Sequence, residues 1–343
     1  LPLVLGCGKK ARHAACYYLL HFWLTLAYIM ATSPTAPTKT ALIVAFAIVY
    51  IVWGSTYLAI RFAIESIPPL LMAGGRHLLA GLLLYGFMRA RGAPRPSATG
   101  WGIALFIGVC LLAIGNGGVT LGEQYISSGL AALLAATVPM FLTLFGWLSG
   151  ISARPKPRVV LGLVLGLVGV YLLASTAEAG SVALPGHQNL GIACVLTAAL
   201  LWSIGSLYSK KKQPASSPFV AGGMQMLCGG LVMLVAALLR GEAANFHLAA
   251  VTPTSWVAFG YLVVFGSIMG FTAYIWLLRV VEPALAGTNA FVNPVVAVIL
   301  GWAFADEPLN TQMLGGAALI VAAVGLVVLG GRSSQSAGTQ AEA

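Results

Sequence analysis

The sequence predicts an all-α, polytopic membrane protein with ten transmembrane helices in two inverted five-helix repeats. Three observations carry that reading: a composition too apolar for a soluble fold, basic residues confined to alternate loops, and a residue pattern that recurs at a fixed offset. Of the 343 residues, 59% are hydrophobic and 8% charged, with a mean hydropathy of +0.93, whereas a soluble domain carries about 25% charged residues. A bilayer core offers backbone groups no water, so spanning segments must be helices or closed barrels. The uninterrupted apolar runs of about 20 residues select helices, since barrel strands would alternate.

The runs place spans at residues 41–61, 68–89, 100–120, 127–148, 159–176, 188–208, 218–239, 255–277, 284–305 and 312–330. Basic loops are retained in the cytoplasm, and the charges alternate accordingly. Arg89, Arg91 and Arg95 follow the second span, Arg154, Lys156 and Arg158 the fourth, Lys210, Lys211 and Lys212 the sixth, Arg279 the eighth and Arg332 the tenth, while Lys39 precedes the first. The other side holds only Arg61 and Arg240, against Glu65, Glu123, Glu178, Glu242, Asp306 and Glu307. Both termini are therefore expected in the cytoplasm, and the formal charge of +10 reflects topology rather than a nucleic-acid surface. Residues 1–40 stand apart. The run 14–29, led by Lys9, Lys10 and Arg12, reads as a signal-like segment, an extra span, or sequence upstream of a start at Met30; the last is preferred, because an extra span would break the charge pattern. Residues 331–343 read as a disordered cytoplasmic tail.

The segments 41–176 and 188–330 match each other. Ala73-Gly74-Gly75-Arg76-His77-Leu78-Leu79-Ala80-Gly81 aligns with Ala221-Gly222-Gly223-Met224-Gln225-Met226-Leu227-Cys228-Gly229 at an offset of 148. After a seven-residue insertion the offset becomes 155 and pairs Trp101 with Trp256, Gly115 with Gly270, Pro139 with Pro294 and Gly146-Trp147 with Gly301-Trp302; Trp53 and Trp202 pair at 149. Five spans per half is an odd number, so the second half must lie upside down relative to the first, an arrangement that secondary transporters use for alternating access.

The segments "VYIVWGSTYLAIRF", "GNGGVTLGEQYISSGLAALLAATVPMF" and "NAFVNPVVAVILGWAFADEPL" together resemble the drug/metabolite transporter superfamily, specifically EamA-domain proteins of the YedA-like exporter branch. The resemblance covers roughly residues 41–330. It implies two EamA repeats around a central cavity in a bacterial inner membrane, and export of amino acids, other metabolites or drugs, with the substrate left open. The alternatives are a lipid or glycolipid flippase and a small-solute importer of the same fold.

Arg76 is the most informative single residue, since a charge inside an apolar span is costly and faces a cavity or a partner. It lies about eight residues past Pro68-Pro69, roughly 12 Å deep at 1.5 Å per residue. Either it clamps a substrate carboxylate through its planar fork, or it ties backbone carbonyls or Glu123 together. His77 and its repeat mate Gln225 are further candidates; His77 offers a titrating group for proton coupling, and a buried structural histidine is the blander reading. Glu123 and Gln124, with Asn116 earlier in the span, sit near the outer face, where Glu123 is a second candidate for proton coupling. Trp53, Ser55, Thr56 and Tyr57, with Trp202, Ser203 and Ser206, set aromatic rings beside hydroxyls, suited either to an amphipathic ligand or to helix packing. Tyr274, Asn289 and Asn293 complete the candidate substrate-binding set, and Asn293-Pro294 marks a candidate helix break with carbonyls freed toward a cavity.

Gly162, Gly166 and Gly169, with Gly315, Gly316 and Gly325, predict a close helix seam, either between repeats or between two copies of the chain. No glycine-rich loop with a Walker lysine is present, which argues against ATP as a direct energy source. No Gly-x-Ser-x-Gly elbow, His-x-x-x-His pair or paired cysteine spacing occurs, so an enzyme, a metal centre and a bound cofactor are not expected. The expected partners are a small-molecule substrate, the lipid bilayer, protons as a candidate coupling ion, and a second copy of the chain.

Overall fold

Every regular element in the described part of the computed structural model is helical. The structure describes residues 38–126, 131, 134–174, 187–212, 217–244, 246–305 and 311–339. Met30, Glu178, Asp306 and Glu307 therefore lie outside the described residues, as do residues 127–130 of the expected fourth span. The chain divides into units 1–45 and 46–343. Of the first, only the opening of one helix is described, and all that follows concerns the second.

The longer helices are α1 (Lys39–Ile64), α2 (Pro69–Ala90), α3 (Ala98–Gly122), α4 (Val138–Leu148), α5 (Pro157–Ala174), α6 (Gln188–Lys211), α7 (Pro218–Leu239), α8 (Pro253–Val280), α9 (Asn289–Ala305) and α10 (Thr311–Thr339). Among the described residues α1, α2, α3, α6, α7 and α8 are long and apolar enough to cross a membrane. Shorter apolar stretches occupy α4, Pro157–Leu172 of α5 and Leu314–Val327 of α10. The last helix continues to Thr339, through the segment expected to be a disordered tail; residues 331–339 contain no proline to stop a helix.

Helix starts follow local chemistry. Pro69, Pro218 and Pro253 open α2, α7 and α8, where a missing N–H costs nothing. Ser97, Ser217 and Thr252 accept from the backbone N–H groups of Gly100, Val220 and Ser255. Proline precedes α2 and cannot cap it; the Glu242 carboxylate, beyond the end of α7, accepts instead from the N–H groups of Leu70 and Leu71 at 2.9 and 3.0 Å.

Many large apolar side chains face outward, including Leu82, Leu83 and Phe87 of α2, Leu161 and Tyr171 of α5, and Leu238 and Leu239 of α7. A soluble monomer does not tolerate so much exposed apolar surface; lipid does. The interior is lined by small residues that let helices approach closely. α2 and its repeat mate α7 run antiparallel, with Gly74 opposite Gly230 and Gly81 opposite Gly223. A Cβ on Gly81 would lie 2.7 Å from the Leu227 nitrogen, and one on Gly230 2.5 Å from that of Leu78. α5 and its mate α10 are likewise antiparallel, Gly162 facing Ala323 and Gly169 facing Gly316. Gly162, Gly169 and Gly316 of the predicted glycine seam therefore pack within the chain and Gly166 meets the Phe291 ring, whereas a Cβ on Gly315 or Gly325 would meet nothing within 4 Å.

Two helices depart from regular α winding. α3 is π-helical over Val109–Asn116 and α8 over Leu262–Phe271. The offset of 155 carries the first of these segments onto residues 264–271, so the irregularity recurs at equivalent positions. Such π segments are found frequently at functional sites.

Candidate substrate cavity

The two π segments flank a central cavity of about 910 Å³, its mouth included, walled by both halves of the chain. α1 contributes Trp53, Thr56 and Ile60, α2 contributes Arg76 and His77, and α3 the run from Leu112 to Thr120 that includes Asn116. The second half adds Trp202, Gly266, Phe271, Asn289 and Asn293.

Its floor is aromatic. Trp53 and Trp202 meet edge to face at 5.5 Å between ring centroids, and Tyr274 lies 5.2 and 5.4 Å from them. Each tryptophan rests on a π-segment glycine of the other half. A Cβ on Gly115 would come within 2.8 Å of the Trp202 ring, and one on Gly270 would run into the Trp53 indole nitrogen. Both indole N–H groups are already used. Trp53 Nε1 donates to the Gly266 carbonyl at 3.1 Å, and Trp202 Nε1 to the Tyr274 hydroxyl at 2.9 Å. Tyr274 in turn lies 2.8 Å from Ser206 Oγ, which donates to the Trp202 carbonyl at 2.7 Å, closing a ring of three hydrogen bonds. The tryptophans therefore offer the cavity ring surface rather than donors.

Above that floor sits Arg76, 3% exposed. Its Nη2 donates to Asn116 Oδ1 at 2.5 Å, and its buried Nε has no partner. The structural alternative, a tie to backbone carbonyls or Glu123, is not what Arg76 makes: it takes an amide, and Glu123, outside the cavity, has a buried Oε1 without a partner. Beside Arg76, His77 Nδ1 lies 2.7 Å from the Ala73 carbonyl, which can only accept, so Nδ1 carries the proton. Among the described lining residues Arg76 is the sole Lys, Arg, Asp or Glu. On the opposite wall Asn293, 4% exposed, has an Oδ1 without a partner.

The helix break expected at Asn293-Pro294 is absent, as α9 runs through Pro294. Proline nevertheless has no N–H for the carbonyl four residues back. That carbonyl belongs to Ala290, which lines the cavity.

The structure thus brings Trp53, Thr56, Arg76, His77, Asn116, Trp202, Asn289 and Asn293 to one cavity. Three other candidates fall elsewhere. Tyr274 is wholly buried behind the tryptophans, and Ser55 bonds Tyr261 Oη at 2.6 Å. Gln225 is buried in α7 outside the lining, its Oε1 without a partner. The Tyr57 side chain lies outside what is described. Gly266, Phe271 and Thr120 line the cavity without a sequence signal of their own; the glycine-rich "GNGG" and "FGSIMG" at the π segments are the nearest hint.

A helical membrane protein with a mostly apolar cavity that carries a buried arginine and amides, shared between two repeated halves, is the architecture of a solute carrier. Sequence comparison makes the family specific. The EamA-like transporter family matches twice, over residues 40–175 and 189–329, and the chain belongs to that family, whose members are transporters rather than enzymes. It is 42% identical over 283 residues to the uncharacterized inner membrane transporter YedA of Escherichia coli (strain K12), covering 82% of this chain and 88% of that one. Identity to the uncharacterized transporter YvbV of Bacillus subtilis (strain 168) is 26% over 290 residues, 84% of this chain and 92% of the relative. A solved crystal structure 18% identical superposes with a TM-score of 0.71, over 86% of this chain and 99% of the other, a likeness of fold alone.

Proposed function

We propose that the protein is a secondary transporter that exports small carboxylate-bearing metabolites across a bacterial inner membrane. It works by alternating access between two inverted repeats of five crossings each, with both termini in the cytoplasm. The carrying observation is the cavity shared by both halves, with a buried arginine as the only formal charge among its described lining residues. Inversion is supported by the antiparallel packing of α2 on α7 and of α5 on α10, each helix against its repeat mate. The basic loops supply the orientation. In that orientation the lining runs from mid-span Trp53, Trp202 and Asn293 toward the outer ends of α1 and α3, and the aromatic floor closes the cytoplasmic side. Arg76 receives the carboxylate through its fork, the indole faces receive the apolar body, and Asn289 and Asn293 read its polar groups. Glu123 and His77 are the groups through which a proton gradient drives the cycle.

The test is flux into proteoliposomes of labelled L-phenylalanine, benzoate and an aromatic cation, with and without a pH gradient. Saturable carboxylate flux that responds to the gradient and falls on the order of 100-fold in Arg76→Met, the residue of the repeat mate, is expected from loss of a buried charged partner. Unchanged flux in a folded Arg76→Met protein would remove Arg76 from the site. Cation flux without carboxylate flux would overturn the substrate class.

A further inference from the structure

Arg76 is held in an unfinished state. The guanidinium edge that grips a carboxylate side-on carries Nε and Nη2. Here Nη2 is taken by the Asn116 amide oxygen at 2.5 Å, while Nε is buried with no acceptor. One neutral oxygen thus occupies half of a two-point site, and a desolvated charged donor without a partner is costly. The third corner, Nη1, points elsewhere: a Cβ placed on Gly266, inside the π segment of α8, would lie 3.9 Å from it. The guanidinium therefore reaches from the π segment of one half to that of the other. Asn116 is the last residue of the α3 π segment, and its carbonyl accepts from Thr120 Oγ1 at 3.0 Å.

We infer that Asn116 is a placeholder on Arg76, and that an arriving carboxylate displaces it, taking both Nε and Nη2 and releasing the end of the α3 π segment. Asn116 is thus a positioning residue that makes the winding of α3 depend on occupancy of the cavity. The device is one-sided. The repeat mates of Arg76 and Asn116 are Met224 and Phe271, which form no such clasp, so occupancy is sensed in the first half alone. The inference rests on the reading that a carboxylate occupies this cavity, and the experiment separates the two.

Equilibrium binding of labelled phenylacetate to the purified full-length protein is measured for wild type, Asn116→Ala, Asn116→Ser, Asn116→Asp and Arg76→Met, with uncharged phenylacetamide as control. A competing placeholder requires opposite shifts. Asn116→Ala and Asn116→Ser tighten phenylacetate binding about tenfold, Asn116→Asp weakens it about tenfold or more by supplying a fixed carboxylate, and phenylacetamide is indifferent to all three. Hydrogen exchange over residues 109–117 should rise when phenylacetate saturates the wild type, and should already be raised in Asn116→Ala without it. If Asn116→Ala and Asn116→Asp both weaken binding while Arg76→Met abolishes it, Asn116 is scaffolding or a direct ligand; the inference falls and the carboxylate site stands. If phenylacetate binds neither wild type nor Asn116→Ala, or binds Arg76→Met equally well, the carboxylate reading falls and the inference with it.

Discussion

The two halves of the molecule build the same crossing twice and furnish it differently. In each, a tryptophan of the first helix lies on a glycine of the other half's π segment, Trp53 on Gly270 and Trp202 on Gly115. Beside that shared frame the first half carries Arg76, Asn116 and Glu123 where the second carries Met224, Phe271 and Leu278. The anchoring of the indoles differs too. Trp53 donates to the backbone carbonyl of Gly266, inside the π segment, and Trp202 to a tyrosine side chain. The repeated part is packing, set by backbone approach, and it tolerates only glycine and a flat ring. The divergent part is polar in the first half: Arg76 and Asn116 line the cavity, and Glu123 lies outside it. In the alternating-access carrier proposed above, equivalent halves would exchange conformations and unequal chemistry would recognise the ligand, two demands that these crossings would divide between different residues.

The largest effect on stability should come from breaking the repeated frame. Gly115→Ala puts a methyl 2.8 Å from the Trp202 ring and 2.9 Å from the Cys110 carbonyl, and Gly270→Ala drives one into the Trp53 indole. Overpacking of this kind costs about 1–3 kcal/mol, read as a lowered midpoint in thermal unfolding of the detergent-solubilised protein. The pair sharpens the comparison. At Gly270→Ala the three nearest atoms all belong to the Trp53 ring, so Trp53→Phe on that background should recover part of the loss, while Trp202→Phe should rescue Gly115→Ala less, because the backbone carbonyl remains in the way. Equal rescue at both sites would mean that the crossings are held alike.

A smaller effect should separate the two anchors. Tyr274→Phe removes the acceptor of Trp202 Nε1 and the partner of Ser206 Oγ, leaving a buried donor unmet at a cost of about 1–2 kcal/mol. The Trp53 anchor is a main-chain carbonyl and cannot be removed in this way, so Trp53 should keep its emission properties in Tyr274→Phe while Trp202 shifts. Fluorescence of single-tryptophan variants checks this, and a shift in both would show the three rings acting as one rigid group.

Much of this was legible in the residues, and the limits have physical causes. Apolar runs and loop charges mark helices because a bilayer punishes both unpaired backbone and stray charge. Equivalence of Trp53 with Trp202 and of Gly115 with Gly270 follows from a constant offset. That each tryptophan meets the other pair's glycine does not, since an offset gives correspondence and not contact. Arg76 is conspicuous as a charge in an apolar run, yet its partner, 40 residues away on a different helix, has no local signature. The π windings are equally silent, because one extra residue in a turn leaves the composition unchanged. A tyrosine in a span reads as a cavity residue; Tyr274 is instead the support behind one, its hydroxyl spent on Trp202 and Ser206.

The smallest effect concerns the divergent outer end of α3. Glu123 follows its last turn, where the offset of 155 places the fully buried Leu278 in the other half. Burial pushes the Glu123 carboxyl up from 4.5 to about 7. An acid whose folded value is raised holds its proton more tightly when folded, so the stability tied to that proton is full below about pH 4.5 and is lost as the pH rises through about 7. In that window the wild-type melting temperature should decline with a slope of about one proton. Glu123→Gln keeps the shape and removes the titration, so it should flatten that decline; Glu123→Leu, which copies the second half, should flatten it as well. Proton coupling adds a functional arm, because flux through Glu123→Gln should lose its response to an imposed pH gradient if this carboxyl carries the proton. A flattened melting profile with the gradient response intact would make Glu123 a buried acid of the outer rim and leave His77 as the remaining cavity group able to carry the proton.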